Sequence, residues 1–240
     1  MNMKFLVVAA LAVALSSVAF ETFAKGSSEK ASKPDDHTVS LDLKFTKKRP
    51  NAVQRILSVL DYGPNGFATG FVVGDGLVMT AYHAVSGKLT TSKKAQLGFA
   101  PDDELQVAIY VNGCHARIMK IDEEADLALL QICQSEKKTK KPAFQGSMNK
   151  DEQLMVIARQ HGNRVVKKGV FYGPQVVGSQ EFSLARIEGR DGYSGSPVYN
   201  QKAEIVGVFS GYDRSQKLAV ISSGMRAQKL LDEYIAEPKQ

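Results

Sequence analysis

The stretch Gly192-Tyr193-Ser194-Gly195-Ser196-Pro197 places a serine between two glycines and leads into the apolar pair Val198-Tyr199. Glycine lacks a Cβ, so such a loop can adopt positive φ angles and let a carbonyl group approach its backbone closely. The backbone N–H groups of Gly192 and Ser194 then have the layout of an oxyanion hole. A serine in a glycine-rich turn is usually only part of a turn, so a catalytic interpretation also needs a base and an orienting acid.

Both groups occur earlier in the chain. His83, one of four histidines, follows the apolar run Phe71–Met79, and Asp126 directly precedes the apolar run 127–130. The chain order is therefore His, Asp, Ser, which is the chymotrypsin order. No histidine follows Ser194, which excludes the Ser, Asp, His order of α/β-hydrolases. The subtilisin order needs an α/β scaffold, and the helical periodicity for one is missing.

These three segments resemble those of the trypsin-like serine proteases, which have the chymotrypsin fold. The resemblance covers about residues 51 to 236 and is greatest to the bacterial branch, which includes HtrA-like proteases and glutamyl endopeptidases. It implies a serine endopeptidase with His83, Asp126 and Ser194 as catalytic residues. Peptide cleavage would proceed through an acyl-enzyme, with no cofactor. Too few residues follow Ser194 for the PDZ domain of full HtrA-like proteins, so we expect the protease unit alone.

An all-β fold is predicted by the short strand-like runs that follow one another from Ala52 onward, with turns between them and no helical pattern. Asn112-Gly113 between apolar runs is a strong hairpin signal, because a type I′ turn needs positive φ at both central residues. Near the end, apolar residues at 227, 230, 231 and 234 predict a short helix that packs on the second barrel. Together with the resemblance, we expect two packed antiparallel β-barrels, at about 51–134 and 142–240, joined by the charged run 135–142.

The two cysteines, Cys114 and Cys133, are predicted to form a disulfide. If the apolar run 127–132 pairs antiparallel with Cys114–Ile121, the register brings the two residues side by side. The alternative is a pair of buried free thiols. Neither cysteine has a recognisable zinc spacing with a histidine, so we expect no metal site.

The N-terminus has the pattern of a secretory signal peptide over residues 1–24. Lys4 precedes the apolar run Phe5–Leu15, and small residues allow cleavage after Ala19 or Ala24. A secreted or periplasmic protein without a transmembrane anchor is therefore expected. Residues 25–50 are polar and predict a flexible linker or pro-segment, although the alternation over Thr38–Thr46 is compatible with a short strand.

Substrate preference is inferred from the resemblance. Trypsin-like relatives place the floor of the P1 pocket six residues before the nucleophile, which is Glu188 here, and its wall in the segment Phe209-Ser210-Gly211. A carboxylate at the floor would favour Lys or Arg, but Glu188 could equally point to solvent or pair with Arg190. Glutamyl endopeptidases carry a histidine in the wall segment, and its absence here disfavours acidic P1 residues.

Tyr193 stands where digestive trypsin-like enzymes have an aspartate that pairs with a newly cut N-terminus. An uncharged side chain cannot compensate a buried ammonium group. We therefore expect the loop to be ordered by packing, with no defined N-terminus required for activity.

Two functions other than that of an enzyme are compatible with parts of the sequence. The first is a catalytically inactive binding protein on the protease fold, which an intact His83, Asp126 and Ser194 disfavours. The second is nucleic-acid binding, suggested by the net charge of +6 and a pI near 9.2. The positive charge is scattered over the linker and Lys137–Lys141 without interleaved aromatic residues, so the expected partners are protein or peptide substrates. The oligomeric state stays open.

Overall fold

The computed structural model describes residues 34–50, 65–133 and 141–238, which fold into two closed six-stranded barrels. The strands of the first barrel are β1 (Thr38–Lys47), β2 (Asn65–Gly74), β3 (Leu77–Ala81), β4 (Leu105–Val111), β5 (Cys114–Asp122) and β6 (Leu127–Gln131). Those of the second are β7 (Gln153–Gln160), β8 (Asn163–Val177), β9 (Gln180–Arg186), β10 (Pro197–Tyr199), β11 (Ile205–Asp213) and β12 (Leu218–Ser223). The helices are α1 (Tyr82–Val85), α2 (Thr91–Gln96) and α3 (Gly224–Ala236). The predicted all-β fold of two antiparallel barrels is confirmed.

Strand β1 closes the first barrel because it pairs antiparallel with β2 on one side and with β4 on the other. Its alternate residues Leu41, Leu43 and Phe45 are buried in the barrel core. The predicted boundary at residue 51 is therefore wrong for the barrel, and residues 38–47 are not a linker. The alternation noted over Thr38–Thr46 is that of a strand, and its apolar face packs into the barrel. The predicted signal peptide, residues 25–33 of the predicted linker and residues 51–64 lie outside the described residues.

The hairpin between β4 and β5 follows the prediction. Asn112 and Gly113 have φ angles of 51° and 79°, and Val111 pairs directly with Cys114. The first barrel also contains two short helices that the sequence patterns did not predict. Helix α2 buries none of its residues, so it has no apolar stripe to detect, and its visible signal is the N-cap Thr90, which accepts the Lys93 N–H.

In the second barrel, β8 runs unbroken through Gly173-Pro174. A β-bulge between Phe171 and Gly173 accommodates the irregularity. Helix α3 forms as predicted and buries Ala227, Leu230 and Leu231. These residues belong to a core cluster with members from both barrels, such as Leu129 of β6 and Val208 of β11. The helix therefore packs against both barrels and helps to fix one against the other.

Candidate active site

The Ser194 loop is held from inside the second barrel. Tyr193 is fully buried, and its ring meets that of Phe209 edge-on at a centroid distance of 6.0 Å. The Gly195 N–H donates to the Phe209 carbonyl at 2.8 Å, and the Ser196 N–H donates to the Tyr193 carbonyl at 3.0 Å. These contacts leave the side chain of Ser194 partly exposed at the surface of the loop.

Both glycines of the loop have positive φ angles, 90° at Gly192 and 84° at Gly195. A Cβ at Gly195 would lie 2.1 Å from both the Thr69 carbonyl oxygen and the Thr80 hydroxyl. Glycine is therefore required there for space as well as for conformation.

His83 lies in the first turn of α1, directly after the buried strand β3, and Asp126 ends the turn between β5 and β6. The Asp126 carboxylate accepts two hydrogen bonds from His83: one from the backbone N–H at 2.7 Å and one from ring Nδ1 at 2.8 Å. The Asp126 carbonyl also accepts the Tyr82 N–H at 3.1 Å. Asp126 thus holds both the ring and the backbone of the histidine.

The second ring nitrogen of His83, Nε2, lies 2.9 Å from Ser194 Oγ. Because a carboxylate only accepts, Nδ1 carries a hydrogen in the neutral ring and Nε2 is left as the acceptor for the serine hydroxyl. The structure thus brings together all three predicted residues, two from the first barrel and one from the second. The Asp126 side chain is 19% exposed and that of His83 is 47% exposed, so the base is open to a substrate.

The two N–H groups predicted to form the oxyanion hole, those of Gly192 and Ser194, donate to no carbonyl in the described part of the chain. Their own carbonyls are bonded, to the Thr69 hydroxyl and the Thr69 N–H respectively. The two donors are therefore available next to the serine hydroxyl.

A cavity of about 600 Å³ opens beside His83, Gly192 and Ser194. Its apolar lining includes Leu43, Phe45, Phe67 and Leu89, and its polar lining includes Lys93, His161 and Asp191. Lys93 of α2 and Asp191 of the serine loop form an ion pair at 3.0 Å. No sequence pattern indicates these lining residues, because they come from five separate segments of the chain and share no local motif.

The residues predicted to form the P1 pocket do not line this cavity. Glu188 pairs with Lys167 at 2.6 Å and Arg190 at 2.7 Å, the alternative that the sequence left open. The hydrogen bond from Lys167, followed by that from Arg190, lowers the pKa of Glu188 to about 2. Its carboxylate is therefore an exposed, charged partner in an ion-pair network.

The predicted wall segment is likewise engaged elsewhere. Phe209 is buried in the core of the second barrel, and the Ser210 hydroxyl lies 2.5 Å from that of Ser222. Gly211 lies next to a β-bulge in the pairing of β11 with β12. None of these three residues lines the cavity that borders Ser194.

The predicted disulfide between Cys114 and Cys133 is present, with a Cα–Cα distance of 5.9 Å. It joins the start of β5 to the residues just after β6, as the antiparallel register requires. None of the helices described is long and apolar enough to cross a membrane.

Two antiparallel barrels with an aspartate, a histidine and a serine in contact at their junction define the class, a serine protease of the chymotrypsin type. A sequence profile of the trypsin-like peptidase domain matches residues 68–208, more than half of the chain. The chain therefore belongs to the trypsin-like peptidase family. A comparison with curated proteins found no match.

Among solved structures, the fold is similar to that of the Rv3671c protease from M. tuberculosis. The active form superposes with a TM-score of 0.57 at 15% identity, covering 84% of this chain and 83% of that one. The inactive form gives a TM-score of 0.51 at 14% identity, covering 80% and 88%. At this level of identity, the comparison concerns the fold alone.

Proposed function

We propose that the protein is an exported serine endopeptidase that cleaves peptide bonds with His83, Asp126 and Ser194 through an acyl-enzyme. The observation that carries the proposal is the continuous hydrogen-bonded chain from Asp126 Oδ2 through the His83 ring to Ser194 Oγ, with steps of 2.8 and 2.9 Å. At these distances His83 can take a proton from Ser194 while Asp126 holds the His83 ring in the tautomer that accepts it.

In the first half of the reaction, His83 Nε2 takes the proton of Ser194 as Oγ bonds to the carbonyl carbon of the substrate. The electron pair of the carbonyl double bond moves to its oxygen, and the N–H groups of Gly192 and Ser194 stabilise that charge. The intermediate then collapses, the C–N bond breaks, and His83 returns the proton to the leaving amine. Asp126 stabilises the imidazolium while it exists.

In the second half, water replaces the amine. His83 takes a proton from the water as the water oxygen attacks the carbonyl carbon of the ester. The bond from that carbon to Ser194 Oγ then breaks. Ser194 recovers its proton from His83, and the acid product leaves. These steps require no group beyond the residues named and water.

The cavity beside Ser194 supports binding of a peptide side chain next to the scissile bond. Its lining of Phe45, Phe67, Leu43 and Leu89 favours an apolar side chain, since transfer of apolar surface out of water stabilises the complex. Export is proposed from the signal-peptide pattern of residues 1–24, and a disulfide in a small protein fits an oxidising compartment.

Labelling with a fluorophosphonate probe tests the proposal, because the probe reacts with a serine only when a base and an oxyanion hole activate it. We expect the wild-type chain to be labelled and to cleave casein, and both activities to be lost in Ser194→Ala and His83→Ala. Ser179→Ala and His115→Ala are matched controls away from the site and should behave like the wild type.

Unchanged labelling in Ser194→Ala would contradict the assignment of the nucleophile. A folded wild-type chain that is neither labelled nor proteolytic would instead favour a binding protein on the protease fold.

A further inference from the structure

Thr69 of strand β2 bonds directly to the serine loop of the opposite barrel. It is fully buried, and its backbone N–H donates to the Ser194 carbonyl at 2.9 Å. Its hydroxyl donates to the Gly192 carbonyl at 2.8 Å. A single residue of the first barrel thus binds the carbonyl groups on both sides of Tyr193.

The hydrogen bonds around Thr69 also determine where its hydroxyl hydrogen points. The backbone N–H of Arg159, in β7, donates to Thr69 Oγ1 at 2.8 Å. A hydroxyl has one hydrogen, so this contact leaves that hydrogen for the Gly192 carbonyl. The Thr80 hydroxyl donates to the Thr69 carbonyl at 2.7 Å and completes the set of bonds on the residue.

Arg159 is in turn held by the first residue of β1 and the segment that precedes it. Its Nε donates to the Thr38 hydroxyl at 2.8 Å, and its guanidinium pairs with Asp36 at 2.8 Å. Arg164 pairs with the same Asp36 oxygen at 2.7 Å. Burial of Asp36 opposes its ionisation, but hydrogen bonds from Thr38 and Arg164 outweigh it and hold the pKa of Asp36 below its ordinary value. Asp36 is therefore charged at neutral pH.

This arrangement restrains the two N–H groups proposed to bind the oxyanion. Peptide units are planar, so the residues of 192–194 can reorient only by rotation about φ and ψ. The Gly192 and Ser194 carbonyls belong to the peptide units 192–193 and 194–195, which flank the unit that carries the Ser194 N–H, and the first of them directly follows the unit that carries the Gly192 N–H. Rotation of either flanking unit would break its bond to Thr69 and leave buried polar groups unpaired. Gly192 is the residue most in need of restraint, because a glycine at φ 90° has more accessible conformations than any other residue.

We infer that Thr69 is a positioning residue for the oxyanion loop, and that the Asp36–Arg159 ion pair supports it from the segment before β1. The inference rests on the proposed function of the Ser194 site. Thr69 contacts neither the serine hydroxyl nor the histidine ring, so it acts through Gly192 and Ser194.

The test replaces Thr69 by Val, which keeps the shape and removes the hydroxyl, and by Ser, which keeps the hydroxyl. We expect kcat in Thr69→Val to fall by about 10- to 100-fold, somewhat less than the loss of one oxyanion donor. KM should change by less than about twofold, because ground-state binding does not use these N–H groups. Thr69→Ser should recover most of the wild-type kcat.

A peptide aldehyde gives an independent readout, since its adduct with the serine places an oxygen at the oxyanion position. Its affinity should fall in Thr69→Val by a factor similar to that of kcat and recover in Thr69→Ser. Thr46→Val, on β1 and away from the site, is the matched control. If Thr69→Val does not fold, Thr69→Ala replaces it, because the smaller alanine side chain cannot clash with its buried neighbours. Asp36→Asn, at the surface, should lower kcat by a few-fold through Arg159.

A wild-type chain that reacts with the fluorophosphonate probe, together with an unchanged kcat in Thr69→Val and Thr69→Ala, would overturn this inference alone. A rise in KM at constant kcat, or a Thr69→Ser variant as slow as Thr69→Val, would overturn it too. An unchanged kcat in Asp36→Asn would overturn the role of the ion pair. A wild-type chain that the probe does not label would overturn the proposed function, and with it the inference.

Discussion

Asp126 combines a structural and an electrostatic task in one residue. Its φ angle of 54° lies in the left-handed region, which asparagine and aspartate tolerate better than other residues with a side chain. Its two carboxylate oxygens bond to the backbone and the ring of His83. A substitution by alanine would disturb the backbone as well as the ring, so its effect on rate could not be assigned to either.

Asn at position 126 keeps the backbone conformation and removes the charge. An asparagine amide can donate to His83 Nδ1, which favours the ring tautomer that cannot accept the Ser194 proton. We therefore expect Asp126→Asn to lower kcat by roughly 10⁴-fold while the protein stays folded. The measurement is peptide hydrolysis together with a thermal unfolding curve. A variant with the wild-type rate would show that Asp126 does not orient the base.

Glu188 illustrates why a residue's distance along the chain from the nucleophile does not define its role. The loop from 188 to 194 turns so that Glu188 meets Lys167 of β8 and Arg190, whereas Asp191 and Gly192 border the cavity beside Ser194. A preference for Lys or Arg at P1 therefore has no support from Glu188 in this arrangement.

Among the elements, the β5–β6 pair carries the disulfide and also ends in the turn that presents Asp126. The bridge joins residues 19 apart, at the end of the pair far from that turn. The chain-entropy model assigns about 3 kcal/mol of stability to a loop of this length.

We expect the double variant Cys114→Ser/Cys133→Ser to unfold at a lower temperature with its kcat largely preserved, because the bridge does not contact the active site. Mass spectrometry of the non-reduced protein should show a loss of two hydrogens and a linked peptide pair. Two thiols that alkylate freely in the native purified protein would refute the bridge. Reduced wild-type protein is the matched control for the variant.

At the scale of the whole molecule, both barrels are needed to assemble the site. His83 and Asp126 come from the first barrel and Ser194 from the second, and Thr69 crosses between them. Helix α3, near the C-terminus, also joins the two barrels, because its Arg226 pairs with Asp122 of β5 at 2.8 Å. The geometry at the serine therefore depends on how the barrels pack.

Activity should not depend on one defined N-terminus. Tyr193 is buried against Phe209, and the loop is held by packing and hydrogen bonds within the fold rather than by an N-terminal ammonium group. Versions that begin at Lys25 and Pro34, each with and without one added N-terminal residue, should hydrolyse a peptide at similar rates. A version that begins at Asp42 should be inactive, because it removes Thr38–Leu41 from the strand that closes the first barrel.

The same series can be compared with versions that begin after Ala19 or Ala24, the two signal-cleavage sites predicted from the sequence. Activity confined to one of these versions, and lost when a residue is added, would indicate zymogen-type control and contradict the packing interpretation of Tyr193.

The sequence by itself determined the features that depend on short-range patterns. These include the Asn112-Gly113 hairpin, the C-terminal helix, the order His, Asp, Ser and the pairing of Cys114 with Cys133, whereas the two-barrel class was expected from the family resemblance. Each rests on a turn residue, a hydrophobic period or a motif that a few neighbouring residues carry. The exposed helix α2 has no hydrophobic period, and its N-cap Thr90 is its one local sequence signal.

Only the tertiary structure decided which partners distant residues meet. The sequence suggested Arg190 as an ion-pair partner of Glu188, and the packing of β8 beside it supplied a second partner, Lys167. Strand β1 lies in a polar region, and its role depends on β4, about sixty residues away along the chain. In the sequence, nothing distinguishes Thr69 from other strand residues. Its role comes from its hydrogen bonds to Gly192, Ser194 and Arg159 of the other barrel. Hydrogen bonds between barrels depend on how two completed sheets dock, and no local sequence pattern encodes that.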